Sequence, residues 1–169
     1  FLALYYAGER LVQNASLSSM TKPVAVALMI SIGIGLHNFG EGLAIGAAIG
    51  LGQVALSTFL IVGFAIHNTT EGIAIASPLA KGKPMIGLLA GLGLLAGSPA
   101  VFGAWIGGFV YSPFTAIIFL SIGAGAIFQV IVILIRWLQD EGDKKLSSAA
   151  VVSGLAVGML VMYLTSILI

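Results

Sequence analysis

The chain contains no cysteine, which excludes disulfides, thiolate metal ligands and a cysteine nucleophile. Charge is almost as scarce. Only 8% of the 169 residues are Asp, Glu, Lys or Arg, against roughly 25% in a soluble domain. So little polar surface cannot cover a water-facing globule, which excludes a water-soluble enzyme and a disordered tail. The net charge of +1 offers no basic footprint, so no nucleic-acid partner is expected. Histidine occurs only twice. The chain opens on Phe1 with no signal-peptide pattern, as expected of a piece of a longer protein.

What the chain has is apolar length. Hydrophobic residues make up 59%, with 23 glycines and a mean hydropathy of +1.14. A helix needs about 20 apolar residues to cross the hydrocarbon core. Five stretches qualify, at about 24–50, 54–79, 85–110, 113–138 and 147–169. None alternates strictly with period two, so helices are favoured over a lipid-facing barrel. The expected fold is all-α: one polytopic transmembrane helix bundle over residues 1–169. The opening FLALYYAG is too short to span and reads as the end of an earlier helix.

The cations set an expected topology. Arg10 and Lys22 precede the first span, Lys81 and Lys83 lie between the second and third, and Arg136, Lys144 and Lys145 lie at the last junction. The other two connections carry none, so the positive-inside rule puts all seven cations in the cytoplasm and the C-terminus outside a plasma or inner membrane. The run DEGDKK at 140–145 reads as a solvated loop. Glycines four apart (Gly42, Gly46 and Gly50; Gly87 and Gly91; Gly93 and Gly97; Gly103 and Gly107; Gly154 and Gly158) are expected to let helices pack closely.

Four ionisable residues lie near mid-span: His37, Glu41, His67 and Glu71. A charged side chain there costs roughly 2.5–3.5 kcal/mol on insertion scales, and intramembrane ionisable residues are functional by default. His and Glu four apart share a helix face. The strings LHNFGEGLAIG (36–46) and IHNTTEGIAIA (66–76) repeat the same H-N-x-x-E-G pattern 30 residues apart. On antiparallel neighbours, the two faces can meet at one depth. Two imidazoles and two carboxylates in a dry place suit Zn²⁺, Fe²⁺, Mn²⁺ or Co²⁺, and the cation offsets the cost of burying two acids. Asn38 and Asn68, about 100° round from each His, either serve the ion through their amide oxygens or hydrogen-bond across helices. Gln129, near mid-depth, reads as interhelical glue rather than a ligand.

These motifs resemble the ZIP (Zrt/Irt-like) family of divalent-metal transporters, whose fourth and fifth of eight spans carry H-N-x-P-E-G and a related motif. The resemblance covers the whole chain as spans four to eight, with both termini of the family's fold outside. It implies a metal site of His37, Asn38, Glu41, His67, Asn68 and Glu71. It also implies inward transport, with zinc as the first expectation and iron, manganese, cobalt or cadmium as others. The expected partners are divalent cations, the bilayer and a second copy of the chain, with no organic cofactor and no enzymatic activity. The sequence departs from the family pattern in places. Gly40 and Thr70 replace the kinking proline, so a helix break would come from glycine flexibility or threonine back-bonding. Ser98 precedes Pro99 where the family often has Glu, and VIVIL at 130–134 replaces an acid. The last two departures count against a second, bridged metal site and imply a more nearly mononuclear one, with the number of sites left open. Two other readings compete: a bis-His haem electron-transfer subunit, and an intramembrane metallohydrolase. Two glutamates one turn away would crowd a haem. The string H-E-x-x-H is absent, and no spare general base remains for hydrolysis.

Overall fold

The computed structural model describes residues 2–14, 20–110, 112–141 and 148–167. It consists of six α-helices: α1 (Leu2–Asn14), α2 (Lys22–Gly50), α3 (Val54–Ala76), α4 (Ile86–Phe109), α5 (Pro113–Glu141) and α6 (Ala149–Ile167). A single 3₁₀ turn, Ser77–Leu79, extends α3. The last five helices are long and apolar enough to cross a membrane. Among the described residues there is no strand.

Local chemistry marks the ends. Pro23 sits in the first turn of α2, where its missing N–H and fixed φ are tolerated. Gly52 closes the α2–α3 connection at φ +70°, a conformation that glycine adopts without a Cβ penalty. That turn returns the Gln53 amide to the Ala48 carbonyl at 2.9 Å, so a three-residue link suffices and α3 runs back antiparallel to α2. Pro99 lies inside α4 without ending it.

Most of α2 is buried, whereas the other four membrane-length helices bury only a minority of their surface. Glycine explains how α2 seats so deeply. A Cβ at Gly42 or Gly46 would fall on the backbone of Ala100 or Ala104, and one at Gly103 or Gly107 on that of Phe39 or Leu43. The backbones of α2 and α4 therefore come close at intervals from Gly35 to Gly50. By contrast, Gly87, Gly91, Gly93, Gly97, Gly154 and Gly158 have nothing near the place of a Cβ. The close-packing expectation fails for them: spacing of four only puts small residues on one face, and the helix facing that side decides whether they are used.

The main apolar cluster includes Val26, Ile30 and Ile34 of α2, Ile75 and Leu79 beyond Glu71, Leu92 and Ala96 of α4, and Val130 and Trp137 of α5. All lie toward the end of the bundle where Lys22, Lys81, Lys83 and Arg136 stand. Two details of the sequence reading change. α1 continues past FLALYYAG to Asn14, so Glu9 is helical and pairs with Arg136. Asp140 likewise belongs to α5 and pairs with Lys22 instead of floating in a loop. Lys144 and Lys145 lie outside the described residues.

Candidate metal centre

Because α2 and α3 are antiparallel, the two H-N-x-x-E motifs meet head to tail. His67 comes level with Glu41, and His37 with Glu71. Nε2 of His67 lies 2.5 Å from Oε1 of Glu41. The same Glu41 oxygen is 3.4 Å from Nε2 of His37, whose Nε2 lies 4.0 Å from Oε1 of Glu71. One ligand atom each from His37, Glu41 and His67 fall within 4.8 Å of one another. Glu71 stands at the margin of that group. The side chains of Glu41 and His67 are nearly sealed, whereas that of His37 retains 30% exposure.

Of the two amides, Asn38 is tied to the group. Asn38 donates its Nδ2 to the Ala96 carbonyl of α4 at 3.1 Å and is close enough to interact with the Glu71 carboxylate. Its own oxygen remains buried with no hydrogen-bond partner, as do Oδ1 of Asn68, Oε2 of Glu41 and Oε2 of Glu71. Three of these unsatisfied acceptors, on Asn38, Glu41 and Glu71, therefore belong to side chains grouped with the two imidazoles. Each buried orphan costs about 1–3 kcal/mol, and these three call for positive charge or a donor. A dication answers that demand directly. The 3.4 Å spacing between His37 and Glu41 also suits two ligands on one ion, since bond lengths of about 2.0–2.2 Å in a tetrahedron separate ligand atoms by roughly that much.

An oxygen of Glu41 stands between the two imidazole nitrogens. A haem iron with two axial histidines would need that same place, which weighs against the haem reading. The ring centroids of His37 and His67 are 6.4 Å apart and tilted by 34°.

Neither motif breaks its helix: α2 and α3 run unbroken through Gly40 and Thr70. Unlike proline, both residues keep their N–H for the helical ladder. Thr70 Oγ1 donates to the His67 carbonyl at 2.6 Å and Thr69 Oγ1 to that of Ala65 at 3.1 Å, so their back-bonding is accommodated within the helix. Ser98 is exposed on α4, and the group that α4 sends to this region is the Ala96 carbonyl instead. Gln129 is fully buried and donates to the Leu4 carbonyl at 2.9 Å, tying α1 to α5 as interhelical glue.

Sequence reasoning missed the surroundings of the quartet. Phe64, three residues before His67 on the same face of α3, packs edge-on against its ring at 5.4 Å between centroids; that spacing was a usable signal. A cavity of about 300 Å³ opens toward the α2–α3 and α4–α5 connections, lined by Leu60, Ser112 and Leu120 and reaching Gly40 beside Glu41. On the opposite side the apolar cluster closes the bundle. No family model, curated protein or solved structure matches this chain.

Proposed function

We propose that this protein carries divalent metal ions across a membrane through the His37, Glu41, His67 and Glu71 centre, as a transporter of ZIP type. The observation that carries this reading is the meeting of two imidazoles with three partnerless buried oxygens, on Asn38, Glu41 and Glu71. The cation is cargo, and zinc suits the mixed nitrogen and oxygen donors best.

On this reading, a hydrated ion reaches the centre through the cavity beside Gly40 and exchanges water for protein ligands. The two carboxylates neutralise its charge, and the imidazoles add directional bonds. Asn38 and Asn68 supply neutral dipoles that hold the ion or its remaining waters. Binding displaces whatever proton His67 and Glu41 share, because metal ligands must be deprotonated. Reprotonation on the far side then favours release. Once Glu41 and Glu71 are ligands no carboxylate is left as general base, which favours transport over hydrolysis. By resemblance, the flux is inward and the cationic end of the bundle cytoplasmic.

Proteoliposomes containing the protein and an encapsulated metal indicator provide the test. Zn²⁺ uptake is expected, with Fe²⁺, Mn²⁺, Co²⁺ and Cd²⁺ as the comparison panel, and Glu41→Gln should abolish it. Absence of flux for every ion, or equal flux in the variant, would overturn the proposal.

A further inference from the structure

A second constellation lies at the cationic end, away from the quartet. There α1, the start of α2 and the end of α5 surround a cavity of about 370 Å³. Its rim is formed by two ion pairs. Lys22 Nζ lies 3.1 Å from Asp140 Oδ2, and Arg136 Nη1 lies 2.6 Å from Glu9 Oε1. The Arg136 guanidinium is 4.9 Å from the centroid of the Tyr5 ring. Trp137 and aliphatic side chains form the wall beneath.

These pairs do little for stability, because exposed ion pairs contribute close to nothing in water. Nor are they saturated. Each pair uses one nitrogen and one oxygen, and Arg136 also bonds to Tyr5, while a guanidinium has five N–H groups, an ammonium three, and a carboxylate about four acceptor positions. The side chains remain between 41% and 61% exposed. Two cations and two anions thus offer spare valence around a cavity that is apolar below and charged above, at the ends of membrane-length helices. That is the depth of lipid headgroups.

We propose that this cavity binds the headgroup of a zwitterionic glycerophospholipid. The phosphate bridges Lys22 and Arg136, the headgroup ammonium lies between Glu9 and Asp140, and the glycerol end enters the apolar cavity. The charge balance of the lining argues against an anionic lipid: although this end of the bundle is cationic, Glu9, Lys22, Arg136 and Asp140, the charged groups that line the cavity, sum to zero, whereas sites for acidic headgroups carry an excess of Lys and Arg. A primary ammonium should be preferred to choline, since it donates three hydrogen bonds to the carboxylates and a trimethylated nitrogen donates none. The proposal requires only that the helices lie in a bilayer and is independent of what the quartet carries.

The test is native mass spectrometry of the protein released from vesicles of equimolar phosphatidylethanolamine, phosphatidylcholine and phosphatidylglycerol. One retained phosphatidylethanolamine is expected, about tenfold preferred over phosphatidylcholine, the scale of one charge-assisted hydrogen bond. The double variant Glu9→Gln/Asp140→Asn should lose that discrimination while keeping its thermal melt. Retention of phosphatidylglycerol above both zwitterions, or unchanged discrimination in the variant, would overturn the proposal. Should the variant melt early, the wild-type ethanolamine-to-choline ratio decides alone, and a ratio near one sinks it.

Discussion

Glu41 Oε1 lies 2.5 Å from Nε2 of His67, a residue 26 positions away on the neighbouring helix. The pairing follows from running one motif up a helix and repeating it down the next. In antiparallel helices the histidine of each copy must face the glutamate of the other, so a same-helix i,i+4 spacing becomes a cross-helix ligand set. Glu41 also approaches His37 at 3.4 Å, which makes it, among the described residues, the acid that touches both imidazoles.

The first prediction follows from that asymmetry. Glu41→Gln and Glu71→Gln remove charge that neutralises the cation, whereas Asn68→Ala removes only a dipole. The Glu41 variant should lose more than about a hundredfold in Zn²⁺ affinity, beyond the 10- to 100-fold that supporting partners outside the ligand set command. Glu71→Gln should follow it closely, and Asn68→Ala should lose about tenfold or less. Without metal, both Gln variants should melt no lower than wild type, because an uncompensated carboxylate is costly in a membrane. Calorimetric titration beside thermal melts checks both halves. Normal binding by Glu41→Gln would make the quartet a structural network.

The glycines of α2 provide a second expectation. A methyl group at Gly46 would meet the Ala104 carbonyl and the Gly108 amide, which are backbone atoms that cannot rotate aside. Gly46→Ala should therefore destabilise the bundle by about 1–3 kcal/mol, the usual cost of overpacking. Gly91→Ala meets nothing within 4 Å and should leave the melt unchanged or slightly raise it. Equal melting of the two variants would contradict the α2–α4 contact.

The membrane helices were legible because apolar runs of 19–29 residues admit few alternatives: α2 begins at Lys22 and α5 ends at Glu141, within a few residues of the sequence estimates. The quartet was legible because acids and histidines at mid-span have no packing reason to be there. Which glycines pack was not legible. Gly42 and Gly91 look alike in sequence, and only the arrangement of neighbours separates them. The partners of the interfacial charges were hidden for the same reason, since Glu9 and Arg136 lie 127 positions apart and meet only through the α1–α5 contact. Cavities are still less accessible, being properties of what several helices leave unfilled.

Ser98 is the position where a second bridging carboxylate would be sought by resemblance. Ser98 is exposed on α4, whereas Glu41 and His67 are buried. Ser98→Glu should therefore leave the Zn²⁺ stoichiometry at one per chain in calorimetry. Two ions per chain would mean that α4 turns this face inward in another state of the protein.

The last prediction concerns access. The cavity beside Gly40 lies toward the connections that carry no Lys or Arg, and its lining includes Ala44, one turn beyond the motif. Toward the cationic end, Ile34 is packed in the apolar cluster at 2% exposure. The chain has no native cysteine, so a single introduced thiol reports its own position. Ala44→Cys should react with a membrane-impermeant methanethiosulfonate applied from the face opposite Lys81 and Lys83, whereas Ile34→Cys should resist the reagent from either face. The expected rate ratio is on the order of 100, corresponding to a local opening that costs about 2.7 kcal/mol. Equal rates would mean that the apolar cluster opens as readily as the cavity. Labelling of Ala44→Cys only from the Lys81 and Lys83 face would put the cavity at the wrong end of the ion's path.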